Sequence, residues 1–136
     1  MTEYLGRHEG RIYAVFRIVV GFLFMFHGLQ KILGLFGGMD GSGATPGFLS
    51  LIWFAGLIEL VGGFLVMIGL FASWAAFVSS GEMAVAYFYA HFPQAFWPAQ
   101  NQGELAALYC FVFLYIAARG DGPWSVTRAA GHPKAS

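Results

Sequence analysis

The chain has 136 residues, of which 58% are hydrophobic and only 10% charged, with zero net charge and a mean hydropathy of +0.66. Soluble domains carry about a quarter charged residues, so this composition excludes a disordered chain, a nucleic-acid binder and a typical soluble enzyme, and it points to a small integral membrane protein. A single cysteine, Cys110, excludes a disulfide framework, a CxxC redox pair and a cysteine-rich metal site.

A membrane-spanning helix needs about 20 mostly apolar residues, and four stretches approach that. The first runs from Ile12 to Phe36 and is broken by the glycine- and proline-bearing loop GGMDGSGATPG, Gly37 to Gly47. No small-residue cleavage site follows its apolar run, which argues against a signal peptide. The second runs from Phe48 to Phe71, with Glu59 as its one ionisable side chain. The third, Ser73 to Phe92, follows almost without a loop. Two prolines in HFPQAFWPAQNQG, His91 to Gly103, prevent a regular helix there. The fourth, Gly103 to Ala118, is short and closes at Arg119 and Gly120. The expected fold is all-α: one membrane domain over residues 1–136, a four-helix bundle with helices near 12–36, 48–71, 73–92 and 103–118 and short tails.

Basic residues set the orientation, because cytoplasmic loops carry the excess of Lys and Arg. Arg7, Arg11 and Arg17 lie at one end of the chain and Arg119, Arg128 and Lys134 at the other, while the two long loops have neither Lys nor Arg. Both termini are therefore expected in the cytoplasm of a multi-pass inner-membrane protein. Trp53 and Trp97 then fall at the outer interface, and Trp74 and Trp124 at the inner one.

Within the spans the costly residues are Arg17, His27, Lys31, Glu59, Glu82 and Glu104. A charge at the bilayer centre costs at least about 2.5–3.5 kcal/mol on insertion scales, so these groups must meet one another or a wet cavity. Arg17, Gly21, Phe24, Gly28 and Lys31 share one stripe of the first helix, and His27 is the neighbour of Lys31 one turn back. The glycines of that stripe suit close helix approach. Glu82 shares a face with Ser79, Ala86 and Tyr89, apart from the small-residue stripe Ala72, Ala76, Ser80 and Ala84. Glu104 aligns with Leu108, Phe111 and Tyr115. The simplest arrangement is a polar pocket in the outer half of the bundle, closed from outside by the aromatic segment Phe88 to Pro98. Glu82 and Glu59 are the candidate proton-handling groups; Arg17, His27, Lys31, Tyr89 and Glu104 are candidate ligand-binding groups. The competing reading makes all of them an internal ion-pair network that fixes helix register. No metal site is expected. His27 and His91 lack a spacing that supports haem ligation, and Cys110 lacks a basic neighbour to activate it.

The pieces RIVVGFLFMFHGLQKI, GLIELVGGFLVMIGLF, the Glu82 helix and FWPAQNQGELAALYCFVFLYIAARGDGPWSV occur in an order that resembles the DoxX family. The similarity runs from about Arg11 to Val126. Where the family pattern places an aspartate just after G-x-x-S, this chain has Thr127. The resemblance implies a four-helix bacterial inner-membrane protein whose relatives are linked to thiosulfate:quinone oxidoreductase and to membrane complexes that handle oxidative and sulfur stress. Arg17, His27, Gly28, Lys31, Glu59, Glu82 and Glu104 match the family's recurrent polar positions.

The function expected on this basis is a small subunit of a quinone-linked or oxidative/sulfur-stress oxidoreductase system, with no intrinsic cofactor and quinone as the candidate ligand. Its partners would be the lipid bilayer, a redox partner protein and further copies of the chain, and no nucleic acid. The alternatives are a non-catalytic anchor or assembly factor, and a small-molecule or proton pathway in an oligomer. Whether the chain catalyses a reaction is left open by the residues alone.

Overall fold

The computed structural model describes residues 1–131; Lys134, used above for orientation, lies outside the described residues. Among these the chain is helical with no strand: α1 Thr2–Gly6, α2 Glu9–Leu33, α3 Leu51–Ile68, α4 Ala72–Ala86, α5 Pro98–Asn101, α6 Glu104–Arg119 and α7 Val126–Ala129. A 3₁₀ turn at Leu35–Gly37 follows α2, and a π turn at Tyr87–His91 extends α4. Only α2 and α3 are long and apolar enough by themselves to cross a membrane.

The long elements start and stop where backbone chemistry allows, a few residues from the hydropathy limits. The first helix ends at Leu33 rather than Phe36, because Gly34 takes a left-handed conformation and its N–H closes on Gln30 O at 3.1 Å. Ser50 caps α3 by accepting from the Trp53 N–H at 3.2 Å, so this helix begins after residue 48. At its far end Gly69, φ +69°, turns the chain directly into α4. A side chain there would collide with Arg17 and Ser125 as well as strain the backbone. No side chain of its own first turn caps α4. Instead, the carboxylate of Asp121, 49 residues further on, accepts from Ala72 N–H at 2.8 Å.

Glycines decide the packing. A Cβ on Gly21 would stand 2.6 Å from Gly63 O, and one on Gly28 would stand 2.7 Å from Gly56 O and closer still to the Leu60 backbone. Helices α2 and α3 therefore touch backbone to backbone along the stripe expected from the sequence, and Arg17, Gly21, Phe24 and Gly28 are all buried. α4 then packs two ways. Ala72, Ala76 and Ser80 are buried, and Ser80 Oγ donates to Cys110 O on α6 at 2.7 Å. Ser79 turns to α3, where its hydroxyl occupies the space left by Gly62. Phe24 closes the core between α2 and α6, with ring centroids 4.5 Å from Phe113 and 5.2 Å from Tyr109.

The outward faces of these helices are apolar. Val15, Val19 and Phe22 on α2, Phe54, Val61 and Phe64 on α3, Phe77 and Val85 on α4, and Leu108 and Phe111 on α6 are exposed. The first turns of α2 meet the end of α6: Glu9 pairs with Arg119, and Tyr13 Oη donates to Gly120 O at 2.5 Å.

Candidate functional site

Helices α3 and α4 are joined by the tight turn at Gly69. They meet closely at Gly62 and Ser79, about 10 Å from the turn at 1.5 Å per residue. One helical turn beyond that contact, Glu59 and Glu82 stand on the facing helices, and there a cavity of about 570 Å³ opens. Its walls are mostly apolar, from Phe24, Ile58, Met83 and Ala106 among others; His27, Lys31, Glu59, Glu82 and Tyr109 are polar groups in it, and Tyr89, His91 and Gln102 line it as well.

Lys31 reaches the cavity from the last turn of α2. Its stem lies where a side chain on Gly56 would otherwise stand, 2.6 Å from an ideal Cβ there. Its ammonium lies 2.5 and 2.6 Å from the two oxygens of Glu59, which is 2% exposed. This charge-assisted pair satisfies both groups. Glu82 is different: its Oε2 is buried and has no hydrogen-bond partner, and Ser79 Oγ, one turn back on α4, is also buried without one. Tyr109 stacks on Phe113 with ring centroids 5.6 Å apart and 18° between planes, and it meets the His27 ring edge-on at 6.3 Å.

The outer rim is built by the π turn. Phe92 N–H bonds to Tyr87 O at 2.9 Å, an i to i+5 closure that places Tyr89, Ala90 and His91 on the cavity wall. π turns widen a helix and recur at functional sites. His91 Nδ1 is 3.1 Å from Asn101 O. The buried Asn101 side chain donates to Ala95 O at 3.0 Å and accepts from Gly103 N–H at 2.8 Å, folding the two-proline segment into a fixed loop.

Of the residues singled out from the sequence, the structure brings His27, Lys31, Glu59, Glu82 and Tyr89 to this cavity. Arg17 and Glu104, the other two candidate ligand-binding groups, do not line it. Arg17, 0% exposed, lies at the opposite end of α3, where its guanidinium donates to Val66 O at 2.6 Å, Met67 O at 2.9 Å, Pro123 O at 3.2 Å and Trp124 O at 2.8 Å. Those first two carbonyls form the negative end of a helix, which attracts a cation. Glu104 is exposed in the first turn of α6, where a carboxylate complements the helix N-terminus. Phe88, Phe92, Phe96 and Trp97 meet one another in sequence through edge-on and tilted ring contacts and are exposed, so of the aromatic segment only Tyr89, Ala90 and His91 reach the cavity. Thr127 hydrogen-bonds Gly69 O through its hydroxyl at 3.0 Å, locking the C-terminal turn onto the α3–α4 corner.

Tyr109 and Gln102 also line the cavity and are not among the candidates read from the sequence. The signal for Tyr109 was present in its spacing of four from Phe113 on the buried face of α6. Gln102 stands in a loop and left none. Among the described residues no group of three His, Cys, Asp or Glu side chains is placed to hold a metal ion.

Compared with known families, residues 12–92 match DoxX. The chain belongs to the DoxX family. That match spans α2, α3, α4 and the π turn, so it contains His27, Lys31, Glu59, Glu82 and Tyr89 and stops short of Tyr109. A relative over most of the length is a Haemophilus influenzae protein described as uncharacterized. It is 41% identical over 121 residues, covering 87% of this chain and 90% of its own. No solved structure matches the chain.

Proposed function

We propose that this DoxX-family protein is a single-domain, four-helix protein of the bacterial inner membrane that binds a lipophilic ligand with a carbonyl or hydroxyl head, a quinone, as the small subunit of an oxidoreductase system. The observation that carries this reading is the unpartnered Glu82 carboxyl at the floor of an apolar cavity of about 570 Å³. Small-molecule sites are of this size and kind, mostly apolar with a few convergent polar groups.

The membrane part is supported by the apolar outward faces of α2, α3, α4 and α6, a surface that water would not tolerate at this extent. With the π turn, α4 reaches the length of a span. The Glu9–Arg119 and Tyr13–Gly120 contacts favour both termini on one side. The arginines near both chain ends favour the cytoplasm.

The residues fit a quinone head. Tyr109 and His27 can donate to a carbonyl oxygen, and Glu82 can accept from a hydroxyl. A bound quinone supplies two-electron chemistry, with the electrons coming from a partner redox protein. This chain's own work is then to exclude water with the Phe24, Met83 and Ala106 wall, hold Lys31 on Glu59, and give or take a proton at Glu82 Oε2.

Organic extraction and mass spectrometry of the protein in native-lipid discs test this, with Glu82→Gln as control. A stoichiometric quinone lost in the variant is the expected result. A folded wild-type protein carrying no extractable ligand overturns the reading and leaves a membrane anchor or assembly factor.

A further inference from the structure

The cavity does not open like a mouth for a water-soluble solute. Its far end is lined by loop side chains, Met39 after α2 and Gln102 before α6. Its long side lies between α3 and α4, and there Phe54 and Val85 border both the cavity and the exterior, 46% and 56% exposed. Between those rims stand small side chains: Ala55 on α3, Ala86 at the end of α4 and Ala90 in the π turn. Beneath them the Gly62–Ser79 contact closes the gap. At the top the π turn at Tyr87–His91 leaves the α-helical path. The result is a slot with apolar edges on the faces that bear the exposed Phe64 and Phe77.

The geometry points to a lateral portal between α3 and α4, through which an apolar tail passes from the bilayer while the polar head rests against Glu82 and Tyr109. The proposal rests on the reading of the cavity as a ligand site and adds the class of ligand: a long-chain amphiphile that enters from the lipid. A polar head resting on the floor meets Glu82 and Tyr109, and a tail of isoprenoid length exceeds the space that remains, so the slot is where it leaves. Lipid is the medium outside it, so a tail there costs no exposure to water.

The portal is tested with two probes, a long isoprenoid-tailed benzoquinone and the same ring without the tail. Binding is read by quenching of tryptophan fluorescence in discs of one lipid composition. Partitioning of the tailed probe into lipid then cancels when variants are compared. Ala86→Phe, and the milder Ala55→Leu, narrow the slot and replace none of the polar groups of the floor. Both should weaken the tailed probe about tenfold or more, the scale of added or removed apolar bulk in a pocket. The tail-less probe should bind as it does to wild type, which also reports an intact fold. Equal loss of both probes, or unchanged binding of both, overturns the portal while leaving the ligand site standing. If neither probe binds wild type, the ligand reading itself falls and takes the portal with it.

Discussion

The Lys31 ammonium sits between the two carboxylate oxygens of Glu59, at 2.5 and 2.6 Å, and 28 residues of chain separate the pair. A buried pair of this kind is costly to break from one side, because the survivor keeps its charge without a partner. Removing one member of a buried pair costs about 3–5 kcal/mol. Lys31→Met and Glu59→Leu should each show a cost of that order, and the double variant should cost much less than their sum. Thermal or denaturant unfolding in detergent measures the cycle. Additive effects would show that the two side chains are adjacent without being coupled.

Glu82 stands one turn beyond the Gly62–Ser79 contact, yet its Oε2 has no partner and so contributes no hydrogen bond to the fold. Glu82→Gln keeps the shape and removes the ionisable oxygen. The expected outcome is an unfolding midpoint no lower than wild type together with lost ligand retention. Parallel loss of stability and ligand would place Glu82 in the structural network instead.

Much of this was legible in the sequence, and the limits are instructive. The Arg17–Gly21–Phe24–Gly28 stripe indicated a close helix contact because helical spacing alone places those residues on one side. The same spacing grouped Glu104 with Leu108, Phe111 and Tyr115, and that face points outward. Periodicity defines a face, and only the third dimension says what the face meets. The cost of a charge in a membrane span predicts that Arg17 meets another charged group or a wet cavity. Its real partners lie 49 to 107 residues away as backbone carbonyls, which carry no residue signature. The π turn was equally silent, since no proline or glycine lies within Tyr87–His91 to mark it.

Glycine packing yields a paired test. Gly28 faces the backbone of Gly56 and Leu60, which cannot move aside as a flexible side chain would. Gly28→Ala should cost at least about 1–3 kcal/mol through overpacking. Gly81, inside α4, has nothing within 4 Å of an added Cβ. There Gly81→Ala should stabilise by about 1 kcal/mol through helix propensity. Unfolding midpoints that move in the same direction for both substitutions would show that the close α2–α3 contact is not what Gly28 provides.

Arg17 gathers the end of α3 and the C-terminal segment onto one guanidinium, with Nη1 on Val66 O and Met67 O and Nη2 on Pro123 O and Trp124 O. A lysine keeps the charge and has no fork to span four carbonyls on two segments. Asp121, Thr127 and Tyr13 still hold the corner in the variant, through Ala72, Gly69 and Gly120, so Arg17→Lys should fold and open locally. Each charged hydrogen bond lost is worth about 1.5–3 kcal/mol, enough to raise the open population of residues 120–131 about tenfold or more. Trypsin cleavage after Arg119 and Arg128 should quicken accordingly, because cleavage follows that population. Binding of a quinone probe should stay at the wild-type level, since Arg17 does not line the cavity. Unchanged proteolysis with weakened probe binding would reverse the assignment and return Arg17 to the ligand site.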